Sequence, residues 1–332
     1  MSGKEDILLF GLGGVGSVYA YILNESPNAQ VTVCARSNYK NVSEQGLDFQ
    51  SEKYGNHPNY KFHHAVATPS DPSLKGVDFK YVVATHKGIQ TTPSAAEQLK
   101  PVIGKDTVIV LIQNGVGVEE PFKAMYPNNT ILSGVTWVNA NQPQTGTIVH
   151  KFNETMQFGA HFNSAIDRKL EEQRLNHFVE LLQQGGTDVE LVPSIDVWRW
   201  KKTIWNATWN TLTALTLART DQLLAASDSG PIVARRIIAE MASIARALGH
   251  EIEDEYLVSL IERDQIKNGI YSSMCMDACF HRPMEVETIV SLPLRKAKEL
   301  GLETPTLETI NALVCALDWR FRNNVPPPAG PK

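Results

Sequence analysis

The sequence has few cysteines, no long apolar run and no excess of basic residues. Its four cysteines in 332 residues do not make a disulfide framework in a chain of this size, and neither they nor the nine histidines follow a metal-ligand pattern. The apolar run near the N-terminus is too short to span a membrane and lacks the pattern of a secretory signal. A formal net charge of -5 offers no basic surface for nucleic acid or anionic lipid. We therefore expect a cytoplasmic protein with reduced thiols, no metal, and neither a nucleic-acid nor a membrane partner.

The order of the predicted elements divides the chain into two domains, as its length also suggests. Strands and helices alternate as far as a last strand at residues 189–192, and beyond residue 195 helical periodicity dominates. We predict an α/β domain over residues 1–193 and a helical domain over residues 194–324. Residues 325–332 read VPPPAGPK and should form an extended or disordered tail, because proline cannot continue a helix.

A glycine-rich turn follows the first predicted strand. The apolar residues 7–10 lead into this turn, and a helical pattern comes after it. Here Gly11 permits a tight turn, Gly13 lets backbone N–H groups approach a pyrophosphate, and Gly16 allows close packing of the helix on the strand. The N-terminus of the helix then presents unpaired donors to the phosphate. Glycine turns are common, but this context favours dinucleotide binding by Gly11, Leu12, Gly13, Gly14, Val15 and Gly16.

The residue after the second predicted strand distinguishes two dinucleotides. An acidic residue at this point would bind the ribose 2′-hydroxyl of NAD, whereas an arginine can pair with the 2′-phosphate of NADP. The strand at residues 31–35 is followed by Arg36, with Ser37 and Lys40 close behind. The sequence therefore favours NADP(H) as the cofactor. The alternative is that Arg36 is an ordinary solvated loop charge.

Polar residues also follow the next two buried strands. Lys87 comes after the strand at residues 81–84, and Asn114 after the strand at residues 107–112. Ligands of an open parallel sheet bind beyond the carboxyl ends of its strands, so both side chains are candidates for a binding site. Either could instead be a turn residue only, and for Asn114, which precedes a glycine, a turn is the natural default. We expect His86 to be a solvated loop residue.

Three polar side chains lie on one face of a predicted helix at residues 195–217. Lys202, Asn206 and Asn210 are spaced by four residues, among tryptophans and leucines that predict a largely buried helix. A desolvated lysine has a lowered pKa and can donate a proton near neutrality. In the alternative interpretation, Lys202 reaches solvent and the asparagines are surface residues.

Four motifs stand in order along the chain. They are Gln113-Asn114-Gly115, the Trp-Lys-Lys-x-x-x-Asn-x-x-x-Asn stretch that ends at Asn210, Ser272-Ser273-Met274, and Glu285, twelve residues after Ser273. With this order and spacing, the sequence resembles the ketopantoate reductase family, the 2-dehydropantoate 2-reductases. The resemblance implies an N-terminal Rossmann-type domain and an all-helical C-terminal domain like that of 6-phosphogluconate dehydrogenase. It also implies NADPH-dependent reduction of a 2-oxo acid, either ketopantoate or a close analogue, to a 2-hydroxy acid.

The resemblance implies roles for individual residues. Lys202 looks like the family's catalytic lysine, the general acid for the carbonyl oxygen, and Glu285 like the glutamate that pairs with the lysine and the substrate hydroxyl. Substrate binding is implied for Asn114, Asn206, Asn210 and Ser273. Cofactor binding is implied for Arg36, Lys87, Gln90 and Asn114. Hydride transfer to a ketone leaves negative charge on oxygen, which an ammonium can stabilise and protonate, while a carboxylate offsets the desolvation of the lysine.

Each of these assignments has an ordinary structural alternative. Ser272 and Ser273 could be helix N-cap residues, and Glu285 could be a solvated residue at the start of a helix. Lys201 rather than Lys202 could be the functional lysine, although its spacing to Asn206 does not place the two on one face.

The sequence departs from the family at one position. Many members carry an asparagine three positions before the serine that Ser273 resembles, and this chain has Ile270. A related oxo acid with a more apolar tail is therefore a reasonable hypothesis for the substrate. Two rival functions stay open: an NADP-binding sensor without turnover, and another hydroxy-acid or imine dehydrogenase of the same architecture. Helical second domains of this kind often mediate dimers, so a homodimer is also open.

Overall fold

A computed structural model of the chain describes residues 3–266 and 269–326. It divides into two compact units. The first unit consists of Met1–Lys87, Thr91–Gln113 and Val118–Ile195, and the second of Gly88–Gln90, Asn114–Gly117 and Asp196–Lys332. Two short segments that follow strands in the sequence therefore group with the second unit. Residues 327–332, most of the predicted proline-rich tail, lie outside the described residues.

The first unit is built on a mixed β-sheet with helices. Its strands are β1 (Glu5–Phe10), β2 (Ala29–Cys34), β3 (Leu47–Ser51), β4 (Gly55–Tyr60), β5 (His64–Val66), β6 (Tyr81–Ala84), β7 (Val108–Leu111), β8 (Ile131–Gln144), β9 (Thr147–Ala160) and β10 (Asp188–Leu191). Its helices are α1 (Gly14–Glu25), α2 (Tyr39–Glu44), α3 (Ala95–Gln98), α4 (Glu120–Met125) and α5 (Arg168–Gln184), with a 3₁₀ turn at Pro72–Leu74.

The strand order of the sheet is β4-β3-β9-β8-β7-β6-β1-β2-β5, with β10 paired to β9. From β5 to β8 all neighbours are parallel, and every residue of β6 and β7 is buried. Parallel strands that are covered on both faces read as continuous apolar runs, which is why these two strands were predictable. The sheet and its helices confirm the predicted α/β class for this part of the chain.

The sequence prediction is wrong in one part of the sheet. The sequence predicts four short strands there, at residues 130–132, 134–138, 146–150 and 155–159, whereas the structure has the long antiparallel pair β8 and β9. Residues 139–144 of β8 are mostly polar and largely exposed, and residues 151–153 of β9 are exposed, so both stretches lack the apolar signal by which strands are recognised. Its irregularities between Val138 and Ala140 and between Asn141 and Gln144 interrupt the alternation further.

The second unit is helical. Its elements are α6 (Ile195–Thr216), α7 (Thr220–Ala225), α8 (Ser229–Ala247), α9 (Asp254–Ile266), α10 (Ser273–Cys279), a π-helical turn (Glu287–Ser291), α11 (Leu292–Glu299) and α12 (Pro305–Arg322). Among the helices of the described residues, none has both the length and the apolar composition that a bilayer crossing requires.

Helix α6 is buried although it contains many threonines. Ile204, Ala207 and Trp209 lie in the apolar core of the unit. The hydroxyls of Thr203, Thr208, Thr211, Thr213 and Thr216 each donate to the backbone carbonyl four residues earlier. Because the helix itself satisfies these hydroxyls, it can be buried without leaving them unpaired.

We predict that Glu154 is a stabilising centre of the first unit. Its buried carboxylate accepts from the hydroxyls of Tyr19 (2.9 Å) and Tyr54 (2.7 Å) and from the Lys53 ammonium (2.8 Å). We expect Glu154→Gln to lower the free energy of unfolding by about 2 kcal/mol, because it leaves the Lys53 charge uncompensated and replaces acceptors. Urea unfolding measures this.

Glu52→Gln is the matched control. Glu52 forms an exposed ion pair with Lys151 at 2.7 Å in the same unit, and exposed pairs of this kind contribute little. Equal effects of the two substitutions would contradict the role given to Glu154.

Candidate active site

The turn between β1 and α1 leaves no room for side chains at two of its glycines. Gly11 has φ +109°, and a Cβ atom there would come within 2.5 Å of the backbone nitrogen of His86. A Cβ atom at Gly16 would lie 1.9 Å from the carbonyl oxygen of Gly11. Gly13 is the exposed N-cap of α1, so the first backbone N–H groups of this helix can receive an anion. Of the other residues in the turn, the structure buries Leu12 and partly buries Gly14 and Val15.

Asn38 supports the glycine turn, and the sequence analysis missed it. Its Nδ2 donates to the carbonyl of Leu12 at 2.6 Å, and its Oδ1 accepts from the backbone N–H of Gly146 at 3.3 Å. This buried amide thus ties the glycine turn to the loop after β2. In the same loop, Arg36 is exposed. An asparagine in a loop reads as a turn residue, so no local signal marked this role.

The expectation that His86 is a solvated loop residue is wrong. The side chain is partly buried and packs edge-on against the ring of Phe10, with the ring centroids 5.1 Å apart. Gln113 donates from Nε2 to the carbonyl of His86 at 2.8 Å. Burial, aided by the charge of Arg36, lowers the pKa of His86 to about 4. The imidazole is therefore neutral at physiological pH.

In the second unit, α6 carries a stripe of polar side chains. The polar stripe consists of Arg199, Lys202, Asn206, Asn210 and Thr213, whose spacings of three and four residues place them on one helix face. Asn206 is 3% exposed and Asn210 is 1% exposed. The Nδ2 atom of Asn206 and both amide atoms of Asn210 have no hydrogen-bond partner among the described residues. Buried amides are rarely left in this state, which is what a ligand-binding position requires.

Lys202 has a lowered proton affinity. Burial lowers its pKa to about 8; the nearby Glu285 carboxylate opposes this change and the Arg199 guanidinium adds to it. The neighbouring Lys201 has a different environment, because it forms an ion pair with Glu253 at 2.6 Å. An amine with a pKa of about 8 can donate a proton near neutrality.

Glu285 is held by two donors of its own unit. The backbone N–H of Gly88 donates to Oε1 at 2.9 Å, and Nδ2 of Asn114 donates to Oε2 at 3.0 Å. Glu285 is 8% exposed, so the alternative of a solvated residue at a helix start is wrong. Asn114 is accordingly more than a turn residue, while Gly115, with φ +90°, makes the turn. These donors fix the orientation of the carboxylate that faces Lys202.

The two serines before α10 differ in their surroundings. Ser272 is the N-cap of α10: its hydroxyl accepts from the backbone N–H of Cys275 at 3.0 Å and shares a hydrogen bond of 2.7 Å with Thr213. Ser273 is exposed in the first turn of α10. Since Thr213 belongs to the polar stripe, this helix start lies beside it. Ile270, two residues earlier than Ser272, is 41% exposed.

Of the cofactor candidates outside the glycine turn, Asn114 is half-buried and the other three lie at the surface. Lys87, in the first unit, and Gln90, in the second, are both exposed. Within the described part of the second unit, five of the predicted site residues come together. Lys202, Asn206 and Asn210 lie on one face of α6, and Asn114 and Glu285 lie in the segments beside it.

A Rossmann-type sheet with a glycine turn, followed by a helical unit with a lysine–carboxylate pair, is typical of two-domain dehydrogenases. The family model described as Ketopantoate reductase PanE/ApbA matches residues 7–163, and the model described as Ketopantoate reductase PanE/ApbA C terminal matches residues 194–318. The chain therefore belongs to the ketopantoate reductase family, as its motifs predicted.

Individual relatives agree with this assignment. A 2-dehydropantoate 2-reductase of Nostoc sp. is 29% identical over 320 residues, covering 95% of this chain and 95% of the relative. A crystal structure of 2-dehydropantoate 2-reductase from Methylococcus capsulatus superposes with a TM-score of 0.82 at 24% identity, covering 95% of this chain and 97% of that one. A ternary structure of D-mandelate dehydrogenase with NADH and anilino(oxo)acetate superposes with a TM-score of 0.82 at 21% identity, covering 96% and 99%. The two superpositions confirm the predicted fold of both domains.

We predict that His86 titrates far below an ordinary histidine. Because the charged imidazolium would be buried, we expect the midpoint to lie at about 4. NMR of the protein labelled with ¹⁵N in its histidine rings measures this value, and His86→Gln assigns the resonance. A midpoint above about 6, the ordinary range of histidine, would show that the ring is solvated.

Proposed function

We propose that this protein reduces a 2-oxo acid to a 2-hydroxy acid with NADPH, and that Lys202 supplies the proton. The observation that carries the proposal is the placement of Lys202, with its pKa of about 8, on the same helix face as Asn206 and Asn210. Among the described residues, Nδ2 of Asn206 and both amide atoms of Asn210 have no hydrogen-bond partner. Membership of the ketopantoate reductase family and the named Nostoc relative support it.

The chemistry follows from the charges of the site. When bound, the nicotinamide supplies a hydride to C2 of the oxo acid. Negative charge then develops on the carbonyl oxygen, where the Lys202 ammonium stabilises it and donates its proton. Glu285 keeps Lys202 protonated and positioned, because its carboxylate opposes the effect of burial on the amine. The lysine regains its proton from solvent after the product leaves.

The substrate is held by polar groups around the lysine. The amides of Asn206 and Asn210 are suited to the carbonyl oxygen and to polar substituents of the substrate, because each group can both donate and accept. Ser273 and Asn114 are the proposed partners of the carboxylate end. Ketopantoate or a close analogue is the proposed substrate class, and the apolar Ile270 favours an analogue with a more apolar tail. D-mandelate dehydrogenase, of the same fold, was solved with the oxo acid anilino(oxo)acetate.

The cofactor is proposed to be NADP(H), although the D-mandelate dehydrogenase structure contains NADH. The glycine turn offers the N–H groups of α1 to the pyrophosphate. Arg36 is exposed beyond β2, where its guanidinium can pair with a 2′-phosphate. Lys87 and Gln90 are further proposed contacts. The homodimer stays a prediction from the sequence.

We predict that Lys202→Met abolishes reduction while the protein stays folded. With a panel of 2-oxo acids that includes ketopantoate and benzoylformate, followed by NADPH absorbance, we expect kcat/KM to fall by about 10²–10⁴-fold. In the wild type, kcat/KM should be constant below about pH 8 and decline above it, because only the protonated amine donates. Lys201→Met is the matched control and should retain turnover.

The same substitution should raise stability. Since the pKa of Lys202 is about 8 in the folded protein and 10.5 ordinarily, folding disfavours the ammonium, by up to about 3 kcal/mol. This penalty is complete below pH 8 and disappears above 10.5, so urea unfolding at pH 7 should show a higher free energy of unfolding for Lys202→Met.

If Lys202→Met kept most of its turnover, the general acid would be another group. NADPH binding without oxidation by any oxo acid would instead favour the sensor.

We predict that Arg36 selects the cofactor. Arg36→Ser should raise the KM for NADPH by about 10–100-fold, because it removes a charge-assisted pair with the 2′-phosphate, and should leave the KM for NADH nearly unchanged. Lys105→Ser, which removes an exposed charge of the same unit, is the control for general electrostatic attraction. Equal use of NADH and NADPH by the wild type would contradict the assignment.

A further inference from the structure

Arg199 is a buried cation on the polar stripe that the mechanism has not used. It lies one turn before Lys202 on α6 and is 2% exposed. Its Nη1 donates to the carbonyl oxygen of Gly115 at 3.1 Å. A buried guanidinium is costly unless hydrogen bonds and charges compensate it, so its presence beside a second cation calls for a reason.

The carbonyl that Arg199 holds belongs to the loop that orients Glu285. In this loop the side chain of Asn114 donates to Glu285 at 3.0 Å, and the backbone N–H of Val116 donates to the carbonyl of Thr288 at 3.0 Å. A Cβ atom at Gly115 would come within 2.5 Å of Thr288, so the loop is pressed closely against this segment. The bond from Arg199 fixes the peptide between Gly115 and Val116, one residue after Asn114. Loss of this bond should therefore loosen the donor that orients Glu285.

Arg199 also acts on Lys202 through its charge. Two charged groups act on the amine of Lys202. Glu285, from the segment before the π-helical turn, raises its pKa, and Arg199, from the same helix as the lysine, lowers it. Lys201, next in the chain, is paired with Glu253 instead. Burial is the main cause of the lowered pKa, and the two charges act on it in opposite directions, so the amine is largely protonated at neutral pH and able to release its proton.

We propose that Arg199 is a positioning residue for the reduction, which holds the Gly115 carbonyl and keeps a second positive charge beside Lys202. This inference rests on the proposed function, in which Lys202 is the proton donor. It extends the site by one residue that acts through Asn114, Glu285 and Lys202 rather than on the substrate.

The test compares Arg199→Gln and Arg199→Lys with the wild type. For Arg199→Gln we expect kcat to fall about 10-fold, the KM for NADPH to stay within about 2-fold, and the alkaline decline of kcat/KM to move to higher pH by about 0.5–1 unit. Arg199→Lys keeps the positive charge but loses the planar guanidinium. We therefore expect a lower kcat, while the decline of kcat/KM at alkaline pH stays where it is in the wild type. Glu285→Gln should move the decline to lower pH.

Arg246→Gln is the matched control. Arg246 also donates to a backbone carbonyl of the second unit, from Nε to Ile252 at 3.0 Å, but it is not part of the polar stripe. We expect this variant to keep the kcat and the pH profile of the wild type. Circular dichroism and thermal unfolding show which variants fold. If Arg199→Gln does not fold, the kcat of Arg199→Lys alone decides whether the planar guanidinium of Arg199 has a role.

A second measurement does not require turnover. Competitive labelling with acetic anhydride at a series of pH values, read by peptide mass spectrometry, reports the pKa of Lys202 with Lys201 as the internal reference. A higher pKa of Lys202 in folded Arg199→Gln supports the proposal. An unchanged pKa, or an Arg199→Lys variant with the kcat of the wild type, would overturn it. If the wild type reduced no oxo acid, the proposed function would fail, while the labelling would still test the action of Arg199 on Lys202.

Discussion

The pairing of a partly buried ammonium with a buried carboxylate is the constraint on which the second unit depends. Burial lowers the pKa of Lys202, and Glu285 opposes this by its charge. A carboxylate can do so only if its own position is fixed. Here a backbone N–H and an asparagine amide each take one of its oxygens. Both donors come from short segments that lie far from Glu285 in sequence but belong to the same compact unit.

Helix α6 is built to hold Lys202, one member of this pair, rigidly. One face packs in the apolar core, and the threonine hydroxyls bond back to the helix itself. The polar stripe can then present groups that have no hydrogen-bond partner in the described part of the chain, above all the amide of Asn210. Such groups lower stability in the absence of a ligand, and proteins commonly accept this loss where function requires it. The hydrogen bond between Thr213 and Ser272 extends the same stripe to the start of α10.

The sequence predicted the parts of this structure that depend on local patterns. The strand, glycine turn and helix at the N-terminus, and the buried strands β6 and β7, are runs whose periodicity is visible within a few residues. The spacing of Lys202, Asn206 and Asn210 likewise follows from helix geometry. In contrast, β8 and β9 were each divided, because mostly polar, largely exposed stretches interrupt them at residues 139–144 and 151–153. The sequence could predict which residues are neighbours on one helix or strand. It could not predict how far the strands of a hairpin with polar stretches continue.

Contacts between distant segments lie beyond spacing arguments. The bond between Asn114 and Glu285 joins residues 171 positions apart, and only the family resemblance placed both in one site. Asn38 and Arg199 had no such help: an asparagine in a loop and an arginine in a helix are ordinary residues until their partners are known. His86 was misread for the opposite reason. A histidine after a strand has the composition of a surface loop, and only the packing against Phe10 and Gly11 excludes solvent from it.

A pKa of about 8 also bears on the direction of the chemistry. In the proposed reaction, reduction uses the ammonium form of Lys202 and oxidation of the hydroxy acid uses the neutral amine, and at this pKa both forms are populated close to neutral pH. Reduction takes up a proton, so a lower pH favours it at equilibrium, while its rate gains nothing further once Lys202 is fully protonated. In the proposed reaction, the same three charged side chains can therefore serve either direction without rearrangement.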